Sequence, residues 1–131
     1  ISRGAKRAYF IELDKNSYSI LVKNCKNVNI DKCQTIQGNA FVQTPLILDF
    51  LKNSKEEIIL YIDPPFDYRE DMEDIYSKSF RMIENIESNN IFKIIIEHQS
   101  ALEVPEILGK FSLEKTRKFG KSSLSYYSYA L

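Results

Sequence analysis

The sequence predicts an α/β fold built on a mostly parallel sheet that closes with a C-terminal antiparallel hairpin, and three observations carry this. Short apolar runs bounded by turn residues recur along the chain. Helical periodicity fills the stretches between them, and the last segment ends in two strand-like runs joined across Gly120. Strands that alternate with helices imply parallel pairing with both sheet faces covered. With 131 residues and 44% hydrophobic content, the chain suffices for one domain over residues 1–131.

Ala8 to Leu13 reads as the first strand. Asp14 is placed to cap a helix running to about Lys26, with Tyr18, Leu21, Val22 and Cys25 on one helical face. Cys33 to Gln37 is a second short strand, ending at Gly38. Thr44 and Pro45 look like the N-cap and first residue of a helix over Leu46 to Lys52. The run Ile58 to Ile62 is a strand, and Ile75, Met82, Ile83 and Ile86 mark a helix from about Glu70 to Ser88. Ile91 to Glu97 follows as a strand. Pro105 breaks the chain before the closing strands, roughly Phe111 to Lys118 and Ser123 to Tyr129.

Composition narrows the function classes. Eighteen basic and eighteen acidic side chains cancel, so no overall positive field marks a nucleic-acid partner, and any RNA contact must be local. Basic residues do cluster at Arg3, Lys6 and Arg7, and again at Lys110, Lys115, Arg117, Lys118 and Lys121. Such clusters are most often solvated faces, although these can reach phosphates. Two cysteines, Cys25 and Cys33, are too few and too far apart for a disulfide framework or a zinc signature, and His98 is the only histidine. No metal site is indicated. No run approaches transmembrane length and nothing resembles a signal peptide, so a cytoplasmic protein is expected.

Chemistry concentrates at Asp63-Pro64-Pro65-Phe66, which directly follows the apolar run Ile58 to Ile62. Asp63 should therefore stand at the carboxyl end of a strand, where open α/β sheets bind ligands. The two prolines stiffen the turn and hold the Asp63 and Pro64 carbonyls in place. A carboxylate, a rigid carbonyl and an aromatic face suit a planar nucleobase held by its exocyclic amine and its π surface. Taken alone, the tetrapeptide is equally an ordinary strand-ending turn with Phe66 in the core.

Arg3-Gly4-Ala5-Lys6 leading into Ala8 to Asp14, the Gly38-Asn39-Ala40 turn and Asp63-Pro64-Pro65-Phe66 follow the order found in class I methyltransferases. With Ile94 to His98 and Lys118 to Tyr127, the chain resembles the RsmD family of 16S ribosomal RNA guanine-N2 methyltransferases nearly end to end. The resemblance implies a Rossmann-like fold and S-adenosyl-L-methionine as cofactor. It also implies that the first strand and its glycine-rich cofactor loop lie upstream of Ile1, since Gly4, Gly38, Gly109 and Gly120 form no G-x-G pattern. The 131-residue chain is accordingly expected to bind the cofactor weakly.

By the same resemblance Glu12 accepts the ribose hydroxyl protons, and Leu13 lies against the adenine ring. Asn39 takes the place of an acid that receives the adenine amine, Ala40 and Phe41 bracket the ring, and Asp63 borders the cofactor as well as the base. Asp63, Pro64, Pro65 and Phe66 form the catalytic turn: Asp63 and the Pro64 carbonyl accept the two protons of the guanine 2-amino group while Phe66 stacks on the base. Tyr68 and Arg69 contact sugar or phosphate, or lie in a surface loop. Glu97 and His98 end a strand on the same edge as Asp63, with orienting or RNA-contacting roles. The implied partner is 16S ribosomal RNA within a small-subunit particle, with no membrane and no metal. Two other readings stay open: an adenine-N6 methyltransferase of DNA or RNA, and a non-catalytic RNA-binding or ribosome-assembly module.

Overall fold

The computed structural model describes residues 4–64 and 72–130, the side chains of 72–74 excepted. The chain divides into two compact units, Ile1–Ile47 and Leu48–Leu131. In the first, β1 (Ala8–Glu12) pairs parallel with β2 (Cys33–Gln37), from Ala8 opposite Cys33 to Glu12 opposite Gln37. Between them run α1 (Lys15–Val28) and a single 3₁₀ turn over Ile30–Lys32. Asp14 caps α1 as its position predicts: in extended conformation, it accepts the Ser17 N–H at 2.8 Å, and this bond lowers its pKa. The expected apolar face of α1 is also present. Cys25 is buried there as a free thiol, and burial, followed by a hydrogen bond with Cys33, pushes its pKa up. The Tyr18 hydroxyl ties α1 to β2 through Thr35 Oγ1 at 3.2 Å.

The next helix corrects the sequence reading. α2 (Ala40–Leu51) begins five residues before Pro45, which lies inside it. Asn39 is the residue that starts it. Its side-chain oxygen accepts from Phe41 N at 2.8 Å, and its carbonyl accepts from Gln43 N at 2.9 Å. Pro45, the sixth of the twelve residues of α2, forfeits one intrahelical bond, and Thr44 is buried rather than capping.

The second unit holds β3 (Ile58–Ile62), α3 (Met72–Glu84), β4 (Ile91–Gln99), β5 (Ile107–Leu108), β6 (Phe111–Phe119) and β7 (Ser122–Tyr129). Its sheet has the order β3-β4-β7-β6-β5. Only β3 and β4 run parallel, while β4–β7, β7–β6 and β6–β5 are antiparallel. The expectation of a mostly parallel sheet therefore fails, and the sheet is mixed. Connection length gives the reason. A parallel return needs a crossover of roughly a dozen residues, whereas only Gly109-Lys110 separates β5 from β6, and only Gly120-Lys121 separates β6 from β7.

Side chains alternate across these strands. Ile94 and Ile96 of β4 and Tyr127 of β7 are fully buried with Ile83 of α3, Leu108 and Phe111, and Ile58, Leu60 and Ile62 of β3 pack against them. His98 shares this inward face and is 1% exposed. Its Nδ1 lies 2.8 Å from the Gln99 carbonyl, which can only accept, so Nδ1 carries a proton. Its Nε2 lies 2.6 Å from Ser125 Oγ, which in turn bonds Thr116 Oγ1 at 2.8 Å. Just beyond β4, Ser100 N donates to the Lys121 carbonyl at 2.8 Å, and Ser100 Oγ donates to the Gly120 carbonyl at 2.9 Å. These bonds fasten the β6–β7 hairpin tip to the carboxyl end of β4. No helix among the described residues is long and apolar enough to cross a membrane.

Gly109 and Gly120 both take positive φ, at 61° and 66°, but their surroundings differ. A Cβ on Gly109 would lie 2.7 Å from the Glu84 carbonyl oxygen, whereas one on Gly120 meets nothing within 4 Å. Gly120→Ala should cost about 1 kcal/mol, the backbone penalty alone. Gly109→Ala adds a backbone clash and should cost clearly more, about 2–4 kcal/mol. Urea midpoints of the two variants check this, and equal midpoints would contradict it.

Candidate functional site

Each unit presents the carboxyl ends of a parallel strand pair, the position at which α/β sheets receive ligands. In the first unit Glu12 ends β1 and Gln37 ends β2 opposite it, so Glu12, Leu13, Asn39 and Ala40 gather at one edge. The Gly38 N–H donates to the Glu12 carbonyl at 3.0 Å and fixes the turn there. One Glu12 carboxylate oxygen accepts from Leu13 N at 3.0 Å, leaving the other open to further donors. Leu13 is 68% exposed and offers an apolar surface beside it. An acid that accepts from a diol, an exposed leucine for a planar ring and the exposed Asn39 amide match the groups of a nucleoside, so these residues fit S-adenosylmethionine. The Asn39 oxygen also serves the helix start, although an amide oxygen has a second lone pair to offer.

In the second unit Asp63 and Pro64 follow the last residue of β3, with Pro64 buried and Asp63 exposed. The partners of this turn come from the outward face of the sheet. Ile62 lies opposite Ile96, so alternation places Asp63, just past the end of β3, beside Glu97, two residues before the end of β4. The Glu97 charge reaches the Asp63 carboxyl. Tyr61 Oη donates to Glu97 Oε1 at 2.6 Å. Exposed as it is, Asp63 keeps enough neighbouring protein to be partly desolvated. Its pKa is raised, first by that desolvation and then by the charge and hydrogen bond of Glu97. The Tyr61 hydroxyl is pushed up in the same order, by burial and then by Glu97. Tyr76 of α3 is 3% exposed and accepts the Gln99 N–H at 3.3 Å. Burial raises its pKa and the Gln99 bond opposes this, while the Asp63 and Glu97 charges add to the rise.

Several sequence expectations divide here. Glu97 joins Asp63, whereas His98 points into the core and is closed to RNA. Pro65, Phe66, Tyr68 and Arg69 lie outside the described residues, as does Arg3, while Lys6 and Arg7 are exposed. The sequence reading missed Tyr61 and Tyr76. The signal for Tyr61 was present, since it lies two residues before Asp63 on the same strand and shares its face. At the same sheet edge stands the hairpin tip, with Arg117, Lys118 and Lys121 exposed. Among the described residues no group of three or more His, Cys, Asp or Glu side chains is placed to hold a metal ion.

Comparisons with known proteins bear on this arrangement. Residues 1–128 match the sequence profile of the family described as conserved hypothetical protein 95. The fold is similar to that of yhhF from Escherichia coli, provisionally described as a methyltransferase, with a TM-score of 0.68 and 20% identity over 98% of this chain and 66% of that one. A Haemophilus influenzae protein, provisionally described as a methylase, gives a TM-score of 0.65 and 22% identity over 96% and 68% of the two chains. A conserved hypothetical protein from Streptococcus pyogenes gives 0.62 and 14% over 96% and 73%. The chain thus spans about two-thirds of the length of these solved relatives. No curated protein matches it.

The Asp63 environment has a consequence for stability. A carboxyl whose folded pKa is raised binds more protons folded than unfolded, so stability falls as pH rises from the ordinary Asp range through the raised value. Asp63→Asn removes that penalty. The variant should melt higher than the parent at neutral pH and lose the advantage below pH ~4, where the parent carboxyl is protonated in both states. Paired melts across this range test it, and a variant less stable at neutral pH would contradict it.

Proposed function

The chain belongs to the conserved hypothetical protein 95 family, and from that membership we propose that it carries the nucleoside-holding and base-recognising residues of an S-adenosylmethionine-dependent methyltransferase. Its substrate in this reading is the exocyclic N2 amine of a guanine in 16S ribosomal RNA. The observation that carries the reading is the Asp63-Pro64 turn at the carboxyl end of a parallel strand, beside a second carboxyl. The α/β fold shared with two proteins provisionally described as a methyltransferase and a methylase supports it.

When bound, S-adenosylmethionine supplies an electrophilic methyl group. Glu12 receives the ribose hydroxyls, and Leu13 and Asn39 receive the adenine. Asp63 and the Pro64 carbonyl accept the two amine protons of the guanine. The amine nitrogen is a poor nucleophile because its lone pair is conjugated with the ring. Two fixed acceptors pull the N–H bonds into a set direction, aim the lone pair and stabilise positive charge as it develops on nitrogen. Pro64 has no N–H and a fixed φ, so its carbonyl does not need to reorganise.

Local charge supports an RNA substrate. From Lys115 to Leu131 the chain has four basic residues and no acid, although the whole chain is neutral. Three of the four, Arg117, Lys118 and Lys121, stand exposed at the hairpin tip, which Ser100 fastens to the edge where Asp63 lies. Phosphates of the RNA strand would bind there.

Two outcomes follow for the complete protein. Glu12→Gln should weaken cofactor binding by about 1–3 kcal/mol in calorimetry. Asp63→Ala should leave that affinity intact and cut methyl transfer to 16S RNA by about 10²–10³. An Asp63→Ala variant with near-parental turnover would remove the mechanism. For the hairpin tip, Lys118→Ala with Lys121→Ala should weaken RNA binding and flatten the plot of log K against log salt by roughly 0.7–0.9 for each phosphate that the variant no longer neutralises. An unchanged slope would place the RNA elsewhere.

A further inference from the structure

We infer that Glu97 is the proton partner of Asp63: the two carboxyls hold one proton between them, and the pair takes up the proton that the exocyclic amine sheds on methylation. The second half rests on the function proposed above, while the first rests on the placement of the two carboxyls by the strand register. β3 and β4 are parallel with Ile62 opposite Ile96, so Asp63 and Glu97 project from neighbouring strands on one face. The Glu97 side chain acts on Asp63 through its charge and its closeness, so the two carboxyls are neighbours. Two ionised carboxylates offer acceptors only, so a bond between them requires a proton on one.

Tyr61 decides which one. Its hydroxyl donates to Glu97 Oε1 at 2.6 Å, so that oxygen is engaged as an acceptor and the shared proton is assigned to Asp63. Desolvation and the Glu97 charge push Asp63 in the same direction. Among the described residues, the titratable groups facing the pair are Tyr61 of β3, Tyr76 of α3 and Tyr126 of β7, with Lys115 of β6 5.0 Å above the Tyr126 ring. His98 of β4 points to the opposite face, with both ring nitrogens engaged.

The pair gives Asp63 two tasks at once. Its free oxygen accepts an amine N–H, while its own proton rests toward Glu97. At the amine the N–C bond forms as the methyl's bond to its sulfur donor breaks, with the electron pair left on sulfur. One N–H bond then breaks and its electrons return to nitrogen. The proton passes to the Asp63 oxygen facing the amine, and Asp63 hands its original proton to Glu97. The pair goes from one negative charge to none, and loses the extra proton to solvent before the next turnover. Glu97→Gln preserves shape and one hydrogen bond but cannot take the proton.

Two measurements on the complete protein separate the halves. Carboxyl carbon NMR across pH should show the wild-type pair titrating in two separated steps, with the Asp63 step above its ordinary range, and Glu97→Gln should collapse this to one lower step for Asp63. In the methyl-transfer assay, Glu97→Gln should reduce kcat about tenfold or more with KM unchanged, and move the acid limb, set in the parent by the lower step of the pair, to higher pH. A merely structural Glu97 would leave the pH profile in place. Carboxyls that titrate independently in the ordinary range overturn the shared proton. A shared proton with an unaltered Glu97→Gln profile overturns the relay. A shared proton in a protein that methylates no RNA sinks the proposed function and leaves the pair standing.

Discussion

Residues on a strand alternate between two faces, and in Ile91–Gln99 that rule forces neighbouring residues into opposite environments. Ile94, Ile96 and His98 enter the core, so Ile95 and Glu97 must leave it. The parallel pairing with β3 then sets Glu97 beside Asp63. A slip of one residue would exchange His98 and Glu97, burying a carboxylate among isoleucines and exposing the Ser125 contact. The cost of burying that charge, together with that of exposing Ile94 and Ile96, holds the register. The acidic pair is thus a consequence of where the core lies.

The two strand edges answer different chemical demands. At the first, Glu12 keeps one oxygen free beside an exposed leucine, an arrangement that suits hydroxyl donors and a flat ring. At the second, two carboxyls and a phenol crowd together under partial desolvation, which raises the Asp63 pKa and makes it a better proton acceptor. Such crowding opposes stability at neutral pH. The serine and hydroxyl contacts around His98 and Ser100 anchor the elements that carry this edge.

Much of this was legible in the sequence. The strand carrying Asp63, the cap at Asp14 and the buried face of Cys25 followed from apolar runs, a capping residue in place and helical spacing. Pairing direction did not. Periodicity marks a strand without saying which neighbour it takes, and the mixed sheet became readable only from the two-residue connections at Gly109-Lys110 and Gly120-Lys121. Pro45 misled because proline is usual at a helix start, whereas Asn39 had already begun the helix through its side-chain oxygen. His98 misled because a histidine at a strand end suggests chemistry, and only the alternation of β4 shows that it faces inward.

The central claim is that this fold presents Asp63 and the Pro64 carbonyl to the 2-amino group of a guanine. Asp-Pro-Pro-Phe alone would serve adenine N6 as well, since both are exocyclic amines beside ring nitrogens. Nucleoside mass spectrometry of 16S ribosomal RNA, from cells with the gene, without it, and complemented with Asp63→Ala, tests the claim most directly. The account predicts that one N2-methylguanosine is lost on deletion and is not restored by the variant. Unchanged N2-methylguanosine with loss of N6-methyladenine would contradict the guanine assignment, and no change in any methylated nucleoside would contradict the enzyme.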